Sequence, residues 1–168
     1  CYVGAKIEEK IDSSRGRFNG FMQAVKDFGM NTADIPVFDL SEKTALQIMK
    51  NFTGAFFLDD FSANSFICFA EKTVPDILNN FSVIGFGNIA ATQPWNKKIS
   101  SLDIMTKQSG AIACEILYKM ISGTAVESVT KIPATWVEGK TLKDIREKDP
   151  SEISYNMLHS ELNIGGRR

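Results

Sequence analysis

Histidine and cysteine are scarce in this chain of 168 residues. The single histidine, His159, lies in a weakly patterned C-terminal stretch with no cysteine or aspartate cluster beside it. The three cysteines, Cys1, Cys68 and Cys114, are scattered and do not have the spacing of metal ligands. The sequence therefore predicts no metal site, no histidine-dependent catalytic dyad and no cofactor, and it does not predict an enzyme.

A strong net charge and a long apolar run are also missing. Lys and Arg (19) nearly balance Asp and Glu (20), so the chain has no basic surface with which to bind DNA by itself. Apolar runs such as 54–58 are far too short to span a bilayer. The chain begins in a strand-like run with no signal peptide or initiator Met, so we expect a fragment of a longer protein. Cys68 and Cys114 stand among apolar residues, which predicts free core thiols in a reducing, cytoplasmic compartment.

The chain does contain short apolar strand patterns that alternate with amphipathic helix patterns. Strands are predicted at 2–7, 36–40, 54–58, 81–84, 100–104 and 131–137. Helices are predicted from Arg15 or Arg17 to Phe28, at 42–52 after an N-cap at Ser41, from Ser62 to Pro75, and at 107–122. A further short helix is predicted near 153–162. This alternation predicts an α/β fold built on a doubly wound parallel sheet with right-handed crossovers.

The strand at 81–84 runs into a glycine-rich turn, and open α/β sheets bind their ligands at such strand ends. Residues 85–90 match the dinucleotide pattern G-x-G-x-x-A, and Asp103 stands about where a ribose-binding acid would be. However, Pro94 allows no more than about one helical turn before the next strand, whereas a parallel crossover needs roughly a dozen residues. A nucleotide-binding enzyme that uses the Gly85 loop is therefore the weaker alternative.

Several segments, in order and at similar spacing, resemble the effector-binding domain of the LacI/GalR family of bacterial transcription regulators. Residues 17–21 resemble "R-x-x-G-F", 57–63 resemble "x-x-N-D-x-x-A", and 82–88 resemble "S-V-I-G-F-D-N". The segment from Pro94 to Gly110 is similar to "P-x-L-T-T-V … G", and residues 132–137 are similar to "L-P-x-x-L-V-x-R". The resemblance covers residues 1–142.

The resemblance implies a periplasmic-binding-protein-like fold of type I, in which two lobes hold a small molecule between them. Residues 1–142 would form the C-terminal lobe, and 143–168 a tail. Helix 107–122 would belong to an N-terminal lobe that this chain lacks. Its apolar face would then pack in a dimer, in a swapped arrangement or against the chain's own sheet. The implied partners are a sugar-like effector, a second copy in a homodimer, and DNA through a head domain absent from this chain, with no membrane.

The same resemblance implies ligand contacts at Arg17, Ser13, Asp59, Asp39 and Asn88. Arg17 matches an arginine that points into the cleft, where the five N–H donors of a guanidinium suit hydroxyls or a carboxylate. Ser13 and Asp39 are equally compatible with ordinary loop residues. Asp59 stands where the family has a polar group that faces the cleft.

Four further positions bear on this site. One is expected to have a structural role, and three differ from the residues that the resemblance leads us to expect. Asp60 is expected to cap the next helix together with Ser62. Gly87 replaces the aspartate that usually anchors the ligand, so its hydrogen bonds would fall to Asn88. Leu40 stands near a position that often has a sugar-stacking aromatic, and Glu138 replaces an arginine. These departures leave the effector's identity open.

Two classes of function remain open beside a repressor's effector-sensing domain. A periplasmic solute-binding protein of a transporter would share the fold, but it should have a signal peptide, and free cysteines suit an oxidising space poorly. The nucleotide-binding enzyme is the other. The sequence favours a cytoplasmic bacterial repressor that senses a sugar or a related small metabolite.

Overall fold

A computed structural model describes residues 1–4, 12–89 and 98–143, and strands and helices alternate along it. The strands are β1 (Tyr2–Val3), β2 (Val37–Phe38), β3 (Gly54–Phe57), β4 (Ser82–Ile84), β5 (Ser101–Asp103) and β6 (Thr135–Val137). The helices are α1 (Asp12–Asp27), α2 (Glu42–Asn51), α3 (Asp60–Thr73) and α4 (Thr106–Ile121). The predicted helix near 153–162 lies outside the described residues, as do His159 and Pro94.

The main sheet is parallel and has the strand order β2-β1-β3-β4. A parallel bridge between Ile84 and Ser100 brings β5 alongside β4. The doubly wound parallel sheet predicted from the sequence is therefore confirmed. The last predicted strand is shorter than 131–137 and pairs with β5 in the antiparallel direction, because the chain returns along β5 after α4.

Both faces of β3 are covered, which explains its continuous apolar sequence. On one face, Phe57 packs against Phe66 of α3, and Phe66 packs against Phe81, with ring centroids 5.0 and 5.3 Å apart. On the other face, Phe56 packs against Phe21 of α1, with centroids 5.2 Å apart. This packing on two faces fixes the position of β3 in the sheet, and with it the position of the loop at its end.

The helix ends agree only in part with the sequence prediction. Ser41 caps α2, as predicted, and the structure adds a reciprocal hydrogen bond from its backbone to Thr44. The prediction for α3 is wrong, because Asp59, and not Ser62 or Asp60, is its N-cap residue. Helix α1 begins at Asp12, earlier than the predicted Arg15 or Arg17, so residues 12–14 are helical and do not belong to a loop.

Helix α4 packs differently from the other helices, because none of its residues is buried. Leu117, Tyr118, Met120 and Ile121 are all exposed, Ile121 by 77%. The expectation that this helix could pack against the chain's own sheet is therefore wrong in the described part of the chain. The predicted core position of Cys114 is wrong for the same reason, since it lies on α4 and is exposed, while Cys68 is half-buried. Within the described residues, no helix is both long and apolar enough to cross a membrane.

Candidate functional site

The loops that follow β3 and β4 meet the second turn of α1 at the carboxyl edge of the sheet. The Arg17 side chain donates from Nη1 to the backbone oxygen of Leu58, at 3.0 Å. The Asp60 N–H donates to the backbone oxygen of Phe86, at 3.1 Å. Arg17, Asp59 and Gly87 therefore lie along one edge, which is where open α/β sheets bind ligands.

The guanidinium of Arg17 lies over the ring of Phe86, with 4.4 Å from its central carbon to the ring centroid. Beside this pair is an open groove of about 640 Å³, which we call the Arg17 groove. Its lining consists of glycine, apolar residues and Arg17, namely Gly16, Arg17, Gly20, Phe21, Ala24, Phe56, Phe86 and Leu102. Among the described residues, Arg17 is thus the only charged side chain that lines the groove. Phe86 was missed by the sequence analysis, although its place in the glycine turn after β4 could have indicated it.

Asp60 is fully buried and holds this edge together. Its Oδ1 accepts a hydrogen bond from Oγ of Ser101 at 2.7 Å, and its Oδ2 accepts one from the N–H of Ile89 at 2.7 Å. One carboxylate therefore joins the start of α3 to the turn after β4 and to β5. Charge-assisted hydrogen bonds of this kind are about twice as strong as neutral ones.

Glycine is required at two positions of the turn, for a different structural reason at each. A Cβ at Gly85 would collide with Oδ1 of Asp60, so the buried carboxylate requires glycine there. Gly87 has a φ of +115°, a conformation that residues with a side chain rarely adopt. Both glycines of the dinucleotide-like pattern are thus explained by the packing of the turn, and neither needs a pyrophosphate. The nucleotide-binding alternative loses its main support.

Asn88 borders a second depression of about 510 Å³, together with Gly87, Asp103 and the first turn of α4. The Asn88 side chain donates from Nδ2 to Oδ2 of Asp103 at 2.9 Å, and the N–H of Met105 donates to Oδ1 at 2.7 Å. These two hydrogen bonds hold the pKa of Asp103 below its usual value. Asp103 therefore positions the turn and the start of α4.

The structure brings the predicted ligand-binding residues together only in part. Arg17 and Asn88 line the two depressions. Asp59 is at the same edge, but its Oδ1 accepts the Ser62 N–H at 2.8 Å as the cap of α3. Asp39 is exposed and lines neither depression. The backbone of Ser13 is in the first turn of α1, while its side chain lies outside the described part. All five contacts with an effector stay predictions.

Metal ligands are not grouped in the described part of the chain, where no cluster of three or more His, Cys, Asp or Glu side chains could hold an ion. The charged groups of the edge are instead bonded to backbone and side-chain partners of the protein. Hydrogen bonds and the shape of the two depressions are therefore the features of the described residues that could select a ligand.

The described residues have the periplasmic-binding-protein-like α/β fold that is found in LacI-family regulators. No family model and no curated protein sequence matches the chain. Among solved structures, the lac repressor dimer bound to operator and the anti-inducer ONPF is similar, with 14% identity and a TM-score of 0.70. That match covers 84% of this chain and 44% of the repressor.

Two further regulators have the same fold. A LacI-family transcriptional regulator from Silicibacter pomeroyi is 19% identical with a TM-score of 0.70, and the match covers 85% of this chain and 46% of that one. The regulator CcpA of Lactococcus lactis is 18% identical with a TM-score of 0.64, and the match covers 85% and 55%. The chain thus spans about half the length of these structures, and the predicted fold resemblance is confirmed.

Proposed function

We propose that this chain is the effector-sensing lobe of a bacterial transcription repressor that binds a sugar or a related small metabolite. The observation that supports this most directly is the convergence of Arg17, Phe86 and Asn88 at one edge of a LacI-type fold. One similar structure contains a repressor bound to an anti-inducer and to operator DNA. The proposed protein is cytoplasmic and homodimeric, and it binds DNA through a head domain that is not in this chain.

The proposed division of the chain into a lobe and a tail, with one helix that belongs to another lobe, is based on the exposed apolar residues of α4. Residues 1–142 would be the C-terminal lobe, and residues 143–168 a tail. Helix α4 would pack on an N-terminal lobe, because its exposed apolar residues find no partner in the described part of this chain. The similar structures are about twice as long as this chain, which leaves room for such a lobe.

In the proposed mechanism the effector binds between the two lobes and stabilises their closed arrangement. A ligand can shift such an equilibrium only by binding one arrangement more tightly than the other. The rigid packing of β3 between α1 and α3 holds Arg17 and Phe86 in place, so closure would move the lobes as units. The movement would change the spacing of the DNA-binding heads in the dimer.

Calorimetric titration of a longer, two-lobed form with sugars and nucleotides tests this function. Saturable binding of a sugar or a related metabolite, with a change in operator affinity, is the expected result. Metabolite binding without any operator binding by the full-length protein would instead favour a transporter's solute-binding protein. Binding of nucleotides alone would favour the enzyme.

The domain proposal has its own test on α4. The replacements Leu117→Lys and Ile121→Lys should change the free energy of unfolding of the 168-residue chain by less than about 0.5 kcal/mol, because both side chains are already exposed. In a two-lobed form they should destabilise by about 2 kcal/mol or more, because a charge would enter a buried interface. Equal losses in both forms would contradict the assignment of α4 to another lobe.

A further inference from the structure

The charged groups at the carboxyl edge differ in how fully their hydrogen-bonding capacity is satisfied by the protein itself. Each nearby aspartate already accepts hydrogen bonds: Asp59 from the backbone of Ser62, Asp60 from Ser101 and Ile89, and Asp103 from Asn88 and Met105. None of the three lines the Arg17 groove. Their charges are therefore compensated by donors of the protein and are not presented to the groove.

Arg17 is in the opposite situation. Within the described residues, its guanidinium donates one hydrogen bond, to the backbone oxygen of Leu58, and one flat face rests on Phe86. The one ion pair within the described residues joins Lys119 to Glu115, so Arg17 has no carboxylate partner there. A guanidinium has five N–H donors in one plane, and the remaining donors match the two oxygens of a carboxylate or phosphate.

The surroundings of Arg17 favour an anion over a neutral polyol. Every hydroxyl of a sugar is a donor as well as an acceptor, but among the described residues that line the groove no side chain accepts hydrogen bonds. A cation in apolar surroundings is best compensated by an opposite charge, and charge-assisted hydrogen bonds are the stronger ones. Gly87, next to Phe86, has no side chain and so adds no negative charge beside the groove.

We infer that the effector carries a carboxylate or phosphate group, which binds the free edge of Arg17 while the rest of the molecule lies along Phe86 and Leu102. This inference rests on the proposed function and narrows it from small metabolites in general to acidic ones. Sugar acids, sugar phosphates and other organic acids share the required chemistry. Neutral sugars do not have it.

Matched pairs of compounds test the inference on the 168-residue chain by calorimetric titration: gluconate and glucose 6-phosphate against glucose, and phenylacetate against phenylacetamide. At least one acid should bind about ten- to a hundredfold more tightly than its neutral counterpart. The replacement Arg17→Gln should abolish that preference, and Arg17→Lys should restore it only in part, because lysine lacks the fork. The matched control is Arg15→Gln, which removes the same charge from an exposed position of α1.

The outcomes separate this inference from the proposed function. A preference for the acid that Arg17→Gln removes and Arg15→Gln retains supports the inference. Binding of glucose equal to or tighter than that of both acids overturns the inference and leaves the sensing function standing. An acid preference that survives Arg17→Gln also overturns it, because the anion is then bound elsewhere. If no acid binds, the inference is overturned. The proposed sensing function is then tested only by the titration of the two-lobed form.

Discussion

Oδ1 of Asp60, the first residue of α3, lies 2.7 Å from Oγ of Ser101, the first residue of β5. Both residues are fully buried, although they are 41 positions apart in the sequence. The other carboxylate oxygen binds the backbone of Ile89. This single side chain therefore sets the position of the turn that carries Phe86, and through Phe86 the position of the Arg17 guanidinium.

Replacing Asp60 should destabilise the protein. Asp60→Asn retains the shape but substitutes an NH₂ group for one of the two acceptor oxygens, so one buried donor loses its partner. We expect a loss of about 2 kcal/mol in the free energy of unfolding, measured by urea denaturation. Asp39→Asn is the control, because Asp39 is exposed and its loss should cost less than about 0.5 kcal/mol. Equal losses for the two variants would contradict the role of Asp60.

Adding a methyl group at Gly85 should have a comparable effect for a steric reason. The new Cβ of Gly85→Ala would meet Oδ1 of Asp60, and displacing a packed group typically costs about 1–3 kcal/mol. Gly110→Ala in α4 is the matched control, because a Cβ there meets open space and alanine favours the helix. Thermal unfolding should show a lower Tm for Gly85→Ala only. An unchanged Tm for that variant would mean that Asp60 has another stable position.

Placing an aspartate at position 87 should not create the ligand anchor that the resemblance leads us to expect there. Gly87 has a φ of +115°, and a Cβ there would lie 3.2 Å from Cγ1 of Ile89, so any side chain should cost about 1–3 kcal/mol. Gly87→Asp and Gly87→Ala should therefore lower the Tm to a similar extent. If the effector is an acid, only Gly87→Asp should in addition weaken its binding strongly. A Gly87→Asp variant as stable as the original chain would contradict the strain argument.

Acidification should loosen the turn at Asn88 through Asp103. The hydrogen bonds from Asn88 and Met105 lower the Asp103 pKa below its ordinary value of 3.8. A carboxylate with a lowered folded-state pKa contributes stability that is complete above its unfolded pKa and is lost as the pH falls through the folded one. The loss is thus expected below pH 3.8. An NMR titration of the Asp103 carboxyl carbon would measure the folded-state pKa. Asp103→Asn should remove this part of the pH dependence of the free energy of unfolding. A midpoint above 3.8 would contradict the assignment.

Much of the fold could be predicted from the sequence, because local patterns decide most of it. The apolar run of β3 and the cap at Ser41 depend on side chains close in the chain, and the structure agrees with both. The resemblance indicated the LacI-type fold through short segments at the right spacing, and the similar structures confirm that fold. The meeting of Arg17 with the loops after β3 and β4 follows from the same parallel order.

Only the tertiary structure decided what each polar side chain does at that edge. The sequence prediction assigns the cap of α3 to Asp60 and Ser62 instead of Asp59, because the two aspartates are adjacent, and only the approach of β5 reveals that Asp60 is the buried one. The packing of α4 was likewise beyond the sequence, since its periodicity shows an apolar face but not what covers it. Local sequence determines which elements form. Long-range hydrogen bonds and burial, which depend on how distant elements meet, determine which charges are compensated by the protein and which are left for a ligand.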